Sequence, residues 1–82
     1  TASNNAAFGY NALTANTALG TDNAAFGYLA LDANTSGAQN TGIGRDALGA
    51  NTTGGNNTAT GTSALGANTT GGQGVAVGFN AM

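Results

Sequence analysis

One short unit repeats along nearly the whole chain, and its length is the strongest constraint on the fold. Four complete copies and one partial copy occupy residues 5–22, 23–39, 40–56, 57–73 and 74–82, after a lead-in at residues 1–4. The unit has 18 residues once and 17 residues three times, because the first copy carries one extra residue after its Asn-Thr pair. Helical repeats need about 33 residues or more. A unit of this size instead suits one turn of a β-solenoid.

Several positions of the unit hold one residue type in nearly every copy. The glycine column is Gly9, Gly27, Gly44, Gly61 and Gly78. The alanine column is Ala12, Ala30, Ala47, Ala64 and Ala81. The leucine column is Leu13, Leu31, Leu48 and Leu65, with Met82 in the partial copy. The asparagine column is Asn16, Asn34, Asn51 and Asn68, followed by Thr17, Thr35, Thr52 and Thr69. A bulkier column is Phe8, Phe26, Ile43 and Val77, with Thr60 as its weak member.

These columns predict an all-β fold, a β-solenoid (β-roll or β-helix) of 17–18-residue coils. Since so small a domain with few large apolar side chains is marginal when alone, we expect the solenoid to be oligomeric. Coils would stack about 4.8 Å apart as parallel strands. Identical residues would then lie above one another as ladders, which stabilise such arrays. We expect the leucine and bulkier columns to point into the coil, and the glycines to lie at positive φ or at close packing. The turn with the extra residue should differ from the others.

The charged and reactive side chains exclude most chemical functions. Arg45 is the one cation and Asp22, Asp32 and Asp46 are the three acids, while His and Cys are absent. One cation cannot neutralise the phosphates of a nucleic acid, and no His or Lys is present to activate a nucleophile. The sequence therefore predicts no enzyme activity, no catalytic residue, no cofactor, no nucleic-acid binding and no membrane insertion.

Two further patterns are interpreted as structural. The glycine-rich stretches at 51–61 and 68–74 lack the Lys of a phosphate-binding loop and are typical of turns. The three Asp residues fall in different columns. Because calcium-binding β-rolls place Asp regularly in their repeat, we interpret these residues as solvated surface and predict no metal site.

One column is a candidate interface. It consists of Tyr10, Tyr28, Arg45 and Phe79, with Thr62 in the fourth copy. Tyr and Arg are enriched at protein interfaces, so the column either contacts another subunit or a glycan, or it covers core edges within the stack. The threonine column would also fit an ice-binding array, although paired T-x-T spacing occurs only at Thr58, Thr60 and Thr62.

The stretches NAAFGYNAL, NAAFGYLAL, NTGIGRDAL and NTATGTSAL, each followed by an Asn-Thr pair, resemble a known repeat. They are similar to repeats of bacteriophage tail-fibre and bacterial surface-fibre proteins. More loosely, GVAVGFNAM at 74–82 is similar to the head repeats of trimeric autotransporter adhesins. The resemblance covers the chain from Asn5 onward. It implies β-solenoid coils, commonly in parallel homotrimers, on extracellular, cell-surface or virion fibres, and it implies no catalytic residues.

The expected function is therefore a structural repeat segment of an extracellular homo-oligomeric fibre, a phage tail fibre or a surface adhesin. Such a stiff rod would space or present a binding tip. Its partners would be copies of itself, in a homotrimer or filament, with a cell-surface glycan reached through other regions. The apolar, incomplete fifth copy leaves open a longer parent protein or a subunit of a self-assembling filament. An ice- or glycan-binding module is the third alternative.

Overall fold

The computed structural model describes residues 4–17 and 19–82, so most of the lead-in and the extra residue of the first unit lie outside the described residues. Five three-residue strands follow in chain order, β1 (Ala6–Phe8), β2 (Ala24–Phe26), β3 (Thr41–Ile43), β4 (Thr58–Thr60) and β5 (Val75–Val77). They form one parallel sheet in the order β1-β2-β3-β4-β5. No helix occurs in the described ranges. The predicted β-solenoid is confirmed, with four turns between the five strands.

Backbone hydrogen bonds join neighbouring coils well outside the strands. The N–H of Leu29 donates to Tyr10 O in the coil before it at 2.9 Å, and the N–H of Leu31 donates to Ala47 O in the coil after it at 3.0 Å. One coil therefore binds both of its neighbours within a single turn. Because similar bonds recur at the other corners, the strand pairing continues around the coil, and buried backbone groups are satisfied.

The strands present their bulky residues to solvent, so the prediction that the bulkier column points into the coil is wrong. In β2 the middle residue, Ala25, is fully buried, while Phe26 is 46% exposed. Successive side chains of a strand point to opposite faces, and a three-residue strand has one inward position. That position is cramped, since a Cβ placed on Gly42 of β3 would lie 3.1 Å from Ala47 O. Only Ala or Gly fits there, and the alternating pattern takes the phase that puts small residues inside.

The leucine column forms the centre of the core, as predicted. Leu31 and Leu48 are fully buried, and Leu65 is partly buried against the same cluster. Together with Leu13, these leucines lie at positive φ, between 49° and 56°. Leu48 is the third residue of a turn closed by the N–H of Gly49, which donates to Asp46 O at 2.9 Å. This left-handed conformation costs about 1–2 kcal/mol for a non-glycine residue, and burial of the side chain offsets that cost.

The glycine column lies at positive φ, as predicted. The φ values of its five members run from 122° to 137°. This backbone region is open to glycine and strained for other residues. The column therefore marks the corner that follows each strand.

The first unit turns differently from the others, which the extra residue predicts. In the later coils the side chain of the column asparagine donates to the backbone oxygen of the residue three positions on, as Asn34 does to Gly37 O at 3.0 Å. In the first coil Asn16 donates to Gly20 O at 2.7 Å, four positions on. The asparagine side chain of the first coil thus makes the same kind of hydrogen bond across a loop that is one residue longer.

Paired truncations in the third coil test the inward and outward directions. We expect Leu48→Ala to lower the free energy of unfolding by about 2–3 kcal/mol, because a fully buried side chain is lost and a cavity remains. Ile43→Ala, at a position that is 44% exposed, should cost only about 0.5 kcal/mol. Urea unfolding followed by circular dichroism measures both variants. A greater loss for Ile43→Ala would contradict the outward direction of this column.

Candidate functional site

The asparagine column forms a hydrogen-bonded ladder inside the solenoid. Nδ2 of Asn51 donates to Oδ1 of Asn34 at 2.9 Å, and Nδ2 of Asn68 donates to Oδ1 of Asn51 at 2.9 Å. Nδ2 of Asn34 donates in the same way to Oδ1 of Asn16 at 2.8 Å. Asn34 and Asn51 are fully buried. Burying an amide is costly unless it is hydrogen-bonded, and here each amide serves as donor and acceptor along the stack.

A second asparagine ladder was missed by the sequence analysis. Its members are Asn5, Asn23, Asn40 and Asn57. Oδ1 of Asn23 accepts the backbone N–H of Asn40 at 2.9 Å, and Oδ1 of Asn40 accepts the backbone N–H of Asn57 at 3.0 Å. The available signal was that an asparagine begins each of the four complete units.

The two ladders meet at one glycine carbonyl in each coil. Gly54 O accepts Nδ2–H of Asn40 at 2.8 Å and Nδ2–H of Asn51 at 3.0 Å. The same double contact recurs at Gly37 O in the coil before. Among the described residues, no buried side-chain nitrogen or oxygen lacks a hydrogen-bond partner. These polar contacts fix one corner of each coil and join it to the corner of the next coil.

The threonine column binds the backbone of the next coil. The hydroxyl of Thr17 donates to Thr35 O at 2.8 Å, and that of Thr35 donates to Thr52 O at 3.2 Å. The Thr52 hydroxyl continues the series to Thr69 O at 3.3 Å. Since these hydroxyl hydrogens are engaged, the column stabilises the stack.

The outer face carries a bulky stripe, which we call the outer stripe. It combines two adjacent columns and consists of Phe8, Tyr10, Phe26, Tyr28, Ile43, Arg45, Val77 and Phe79. Its apolar and aromatic members are 44–75% exposed. Thr60 and Thr62 interrupt it in the fourth coil. Contiguous exposed apolar surface of this kind marks an interaction site more often than scattered apolar residues do.

Stacking between coils orders the outer stripe. The rings of Phe8 and Phe26 lie 5.7 Å apart and 5° from parallel, and those of Tyr10 and Tyr28 lie 5.4 Å apart and 13° from parallel. Cζ of Arg45 lies 5.9 Å from the centre of the Tyr28 ring. Tyr28 thus has a neighbour on each face and presents its edge to solvent. A sugar stacks on an open ring face, which Tyr28 does not offer.

A groove of about 580 Å³ lies beside the outer stripe. We call it the small-residue groove. It is lined by Asp32, Asp46, Gly49, Ala50, Ser63, Gly66, Ala67, Asn80 and Met82. Its lining residues come from four successive coils and form one surface only when the coils stack. No single column defines the groove, so the sequence did not predict it.

The small-residue groove is acidic at one end. Partial burial raises the pKa of Asp32, and the nearby charge of Asp46 raises it further, while hydrogen bonds from the backbone N–H groups of Asp32 and Ala33 oppose the rise. Asp22, the third acid, is exposed and does not line the groove. The single cation of the chain, Arg45, lies on the outer stripe. The groove thus has two carboxylates and no positive partner of its own.

The described residues contain no cluster of three or more His, Cys, Asp or Glu side chains placed to hold a metal ion. Within the same residues, no helix is long and apolar enough to cross a membrane.

Fold and side chains together define the class of protein. The chain is a parallel β-solenoid that is braced inside by two asparagine ladders and carries an aromatic stripe outside. No protein-family model matches it, and neither the curated proteins nor the solved structures contain a significantly similar chain.

Proposed function

We propose that the chain is a structural repeat segment of an extracellular homo-oligomeric fibre, in which copies associate side by side through the outer stripe. The observation that carries this proposal is the stripe itself, an ordered row of aromatic and aliphatic side chains left 44–75% exposed. Packing aromatic rings at an interface removes much apolar surface from water. The extracellular, cell-surface or virion location rests on the resemblance of the repeats to fibre proteins.

The mechanical part of the role follows from the interior. Backbone bonds join the coils at several corners, and the asparagine and threonine ladders add side-chain bonds along the same axis. Bending such a rod would lengthen several of these bonds at once, and buried groups would lose their partners. The proposed function is a stiff spacer that presents a binding tip carried by other regions, and it needs no chemical step.

Self-association through the outer stripe can be tested by making the second coil resemble the fourth. In Phe26→Thr/Tyr28→Thr, the second coil carries the residues that stand at the same positions as Thr60 and Thr62. The repeat already accepts threonine there, so we expect the fold to persist. Association, measured by sedimentation equilibrium, should weaken by at least about tenfold, because aromatic side chains dominate interface energetics.

Thr53→Ala is the matched control, since Thr53 is exposed and lies outside the stripe and the groove. Its association should equal that of the wild-type chain. A wild-type chain that stays monomeric at millimolar concentration would overturn the proposal. Fibres that lengthen without limit as concentration rises would instead favour the filament subunit.

A further inference from the structure

The outer stripe and the small-residue groove adjoin on the coil and complement each other. Their border runs between Arg45, which belongs to the stripe, and Asp46, which lines the groove. The stripe has large side chains and the only cation, whereas the groove has Gly and Ala in its floor and two carboxylates at one end. Each surface thus has the shape and charge that the other lacks.

We propose that the small-residue groove is occupied by the outer stripe of a second copy of this chain, aligned parallel and level with the first. The proposal rests on the proposed function and names the contact through which the copies associate. Turning one copy by half a turn about a line parallel to the stack brings each stripe opposite the other's groove. Arg45 then meets Asp46 and Asp32 of the partner subunit, and the contact is reciprocal, as in two-fold interfaces generally.

The repeat keeps the two copies level. In the level alignment, Ile43 and Arg45 of one stripe lie at the height of Gly49 and Ala50 of the partner subunit, and Phe79 lies at the height of its Asn80 and Met82. A shift by one coil would place one of the two Arg45 residues level with the partner's fourth coil, where Ser63 stands in the position of Asp46, so the charge contact could form only once. The single charge contact therefore sets the register while the apolar contacts supply area.

Charge also disfavours an interface in which the outer stripes of two copies pack against each other. In a level, face-to-face arrangement of two stripes, Arg45 would lie opposite Arg45 of the partner subunit, and the carboxylates of both grooves would stay without a cation. Like charges placed opposite each other at an interface disfavour association strongly. Opposite charges across the stripe and the groove remove that conflict.

Exchange of the two neighbouring charges tests the contact. Arg45→Asp should weaken association at least about tenfold, because it adds a carboxylate to an acidic groove, and Asp46→Arg should do the same. The double variant Arg45→Asp/Asp46→Arg restores an opposite pair across the interface. Its dissociation constant should return to within about threefold of the wild-type value. Position 46 lies at φ 59°, and Leu29 occupies the equivalent position at φ 61°, so a long side chain is accepted there.

Milder variants keep the test decisive if a charge reversal disturbs folding. Arg45→Thr and Asp46→Ser carry the residues that the fourth unit has as Thr62 and Ser63. Each should weaken association about threefold or more and reduce its salt dependence. The contact is wrong if Arg45→Asp and Asp46→Arg each weaken association but the double variant does not restore it. It is also wrong if Arg45→Thr and Asp46→Ser associate with wild-type affinity. If the contact alone is wrong, Phe26→Thr/Tyr28→Thr still weakens association. If the proposed function is wrong, the wild-type chain does not associate.

Discussion

Asn51→Asp is expected to lower the free energy of unfolding by about 4–5 kcal/mol. Nδ2 of Asn51 donates to Asn34 Oδ1 at 2.9 Å and to Gly54 O at 3.0 Å. A carboxylate has no hydrogen to donate, so both contacts become oxygen against oxygen. The side chain is fully buried, and its charge would enter the interior without a cation.

Asn51→Ala separates the lost bonds from the buried charge. It removes the same donated bonds and leaves Oδ1 of Asn34 without the hydrogen that it accepts. Since a buried group without a partner costs about 1–3 kcal/mol, we expect a total loss of about 3 kcal/mol. Urea unfolding followed by circular dichroism gives both values.

Asn56→Gly is the control for these two variants. Asn56 is an exposed asparagine at φ 61°, a conformation that glycine adopts freely. Its stability should stay within about 0.5 kcal/mol of the wild-type chain. A loss below about 1 kcal/mol for Asn51→Ala would show that water enters the coil and replaces the ladder.

The repeat was sufficient to predict the architecture, for a simple physical reason. Parallel coils must place equal residues at equal heights, so the spacing of Phe8, Phe26 and Ile43 predicts their pairing across strands. Gly27 likewise predicts positive φ, because a residue without a Cβ is the least strained there. These inferences need the order of residues alone, with no knowledge of what fills the interior.

The direction of the strand side chains did not follow from the repeat. Alternation along a three-residue strand has two phases, and hydrophobicity favours the one that buries Phe26. The structure has the opposite phase, because the cramped space at Gly42 excludes any larger side chain. That width is set by the opposite wall of the coil, which lies several residues away in sequence. Local patterns therefore could not predict it.

The leucine turns were equally hidden from the sequence. A residue at positive φ is expected to be Gly, Asn or Asp, yet Leu31 and Leu48 lie at 52° and 53°. The left-handed turn aims each side chain at the centre of the coil, where it is fully buried. Burial thus overrides local preference, as it does at the second asparagine ladder, where polar residues are retained inside because the coil supplies their partners.

The small-residue groove could not be predicted without the three-dimensional structure. Asp32 and Asp46 belong to different columns and different coils, and their charges interact only because a full turn of chain brings them together. The sequence interpretation of these acids as solvated surface treated each alone. Stacking brings Asp32 and Asp46 together at one acidic end of the groove.

Gly44→Ala is expected to lower the free energy of unfolding by about 4 kcal/mol, from backbone strain and from a clash between coils. Gly44 lies at φ 127°, and a Cβ placed on it would lie 2.7 Å from Gly61 O in the next coil. Gly78→Ala separates the two causes, because Gly78 lies at φ 122° while its Cβ would meet nothing within 4 Å. It should cost only about 1–2 kcal/mol.

The difference between the two glycine variants, about 2–3 kcal/mol, measures how firmly neighbouring coils hold their spacing. Thermal and urea unfolding of both variants provide it. Coils that resist separation must bend the chain or break backbone bonds to admit the new methyl group at position 44. Equal losses at positions 44 and 78 would show that the coils part easily, and a rod made of them would lack the stiffness that a fibre spacer requires.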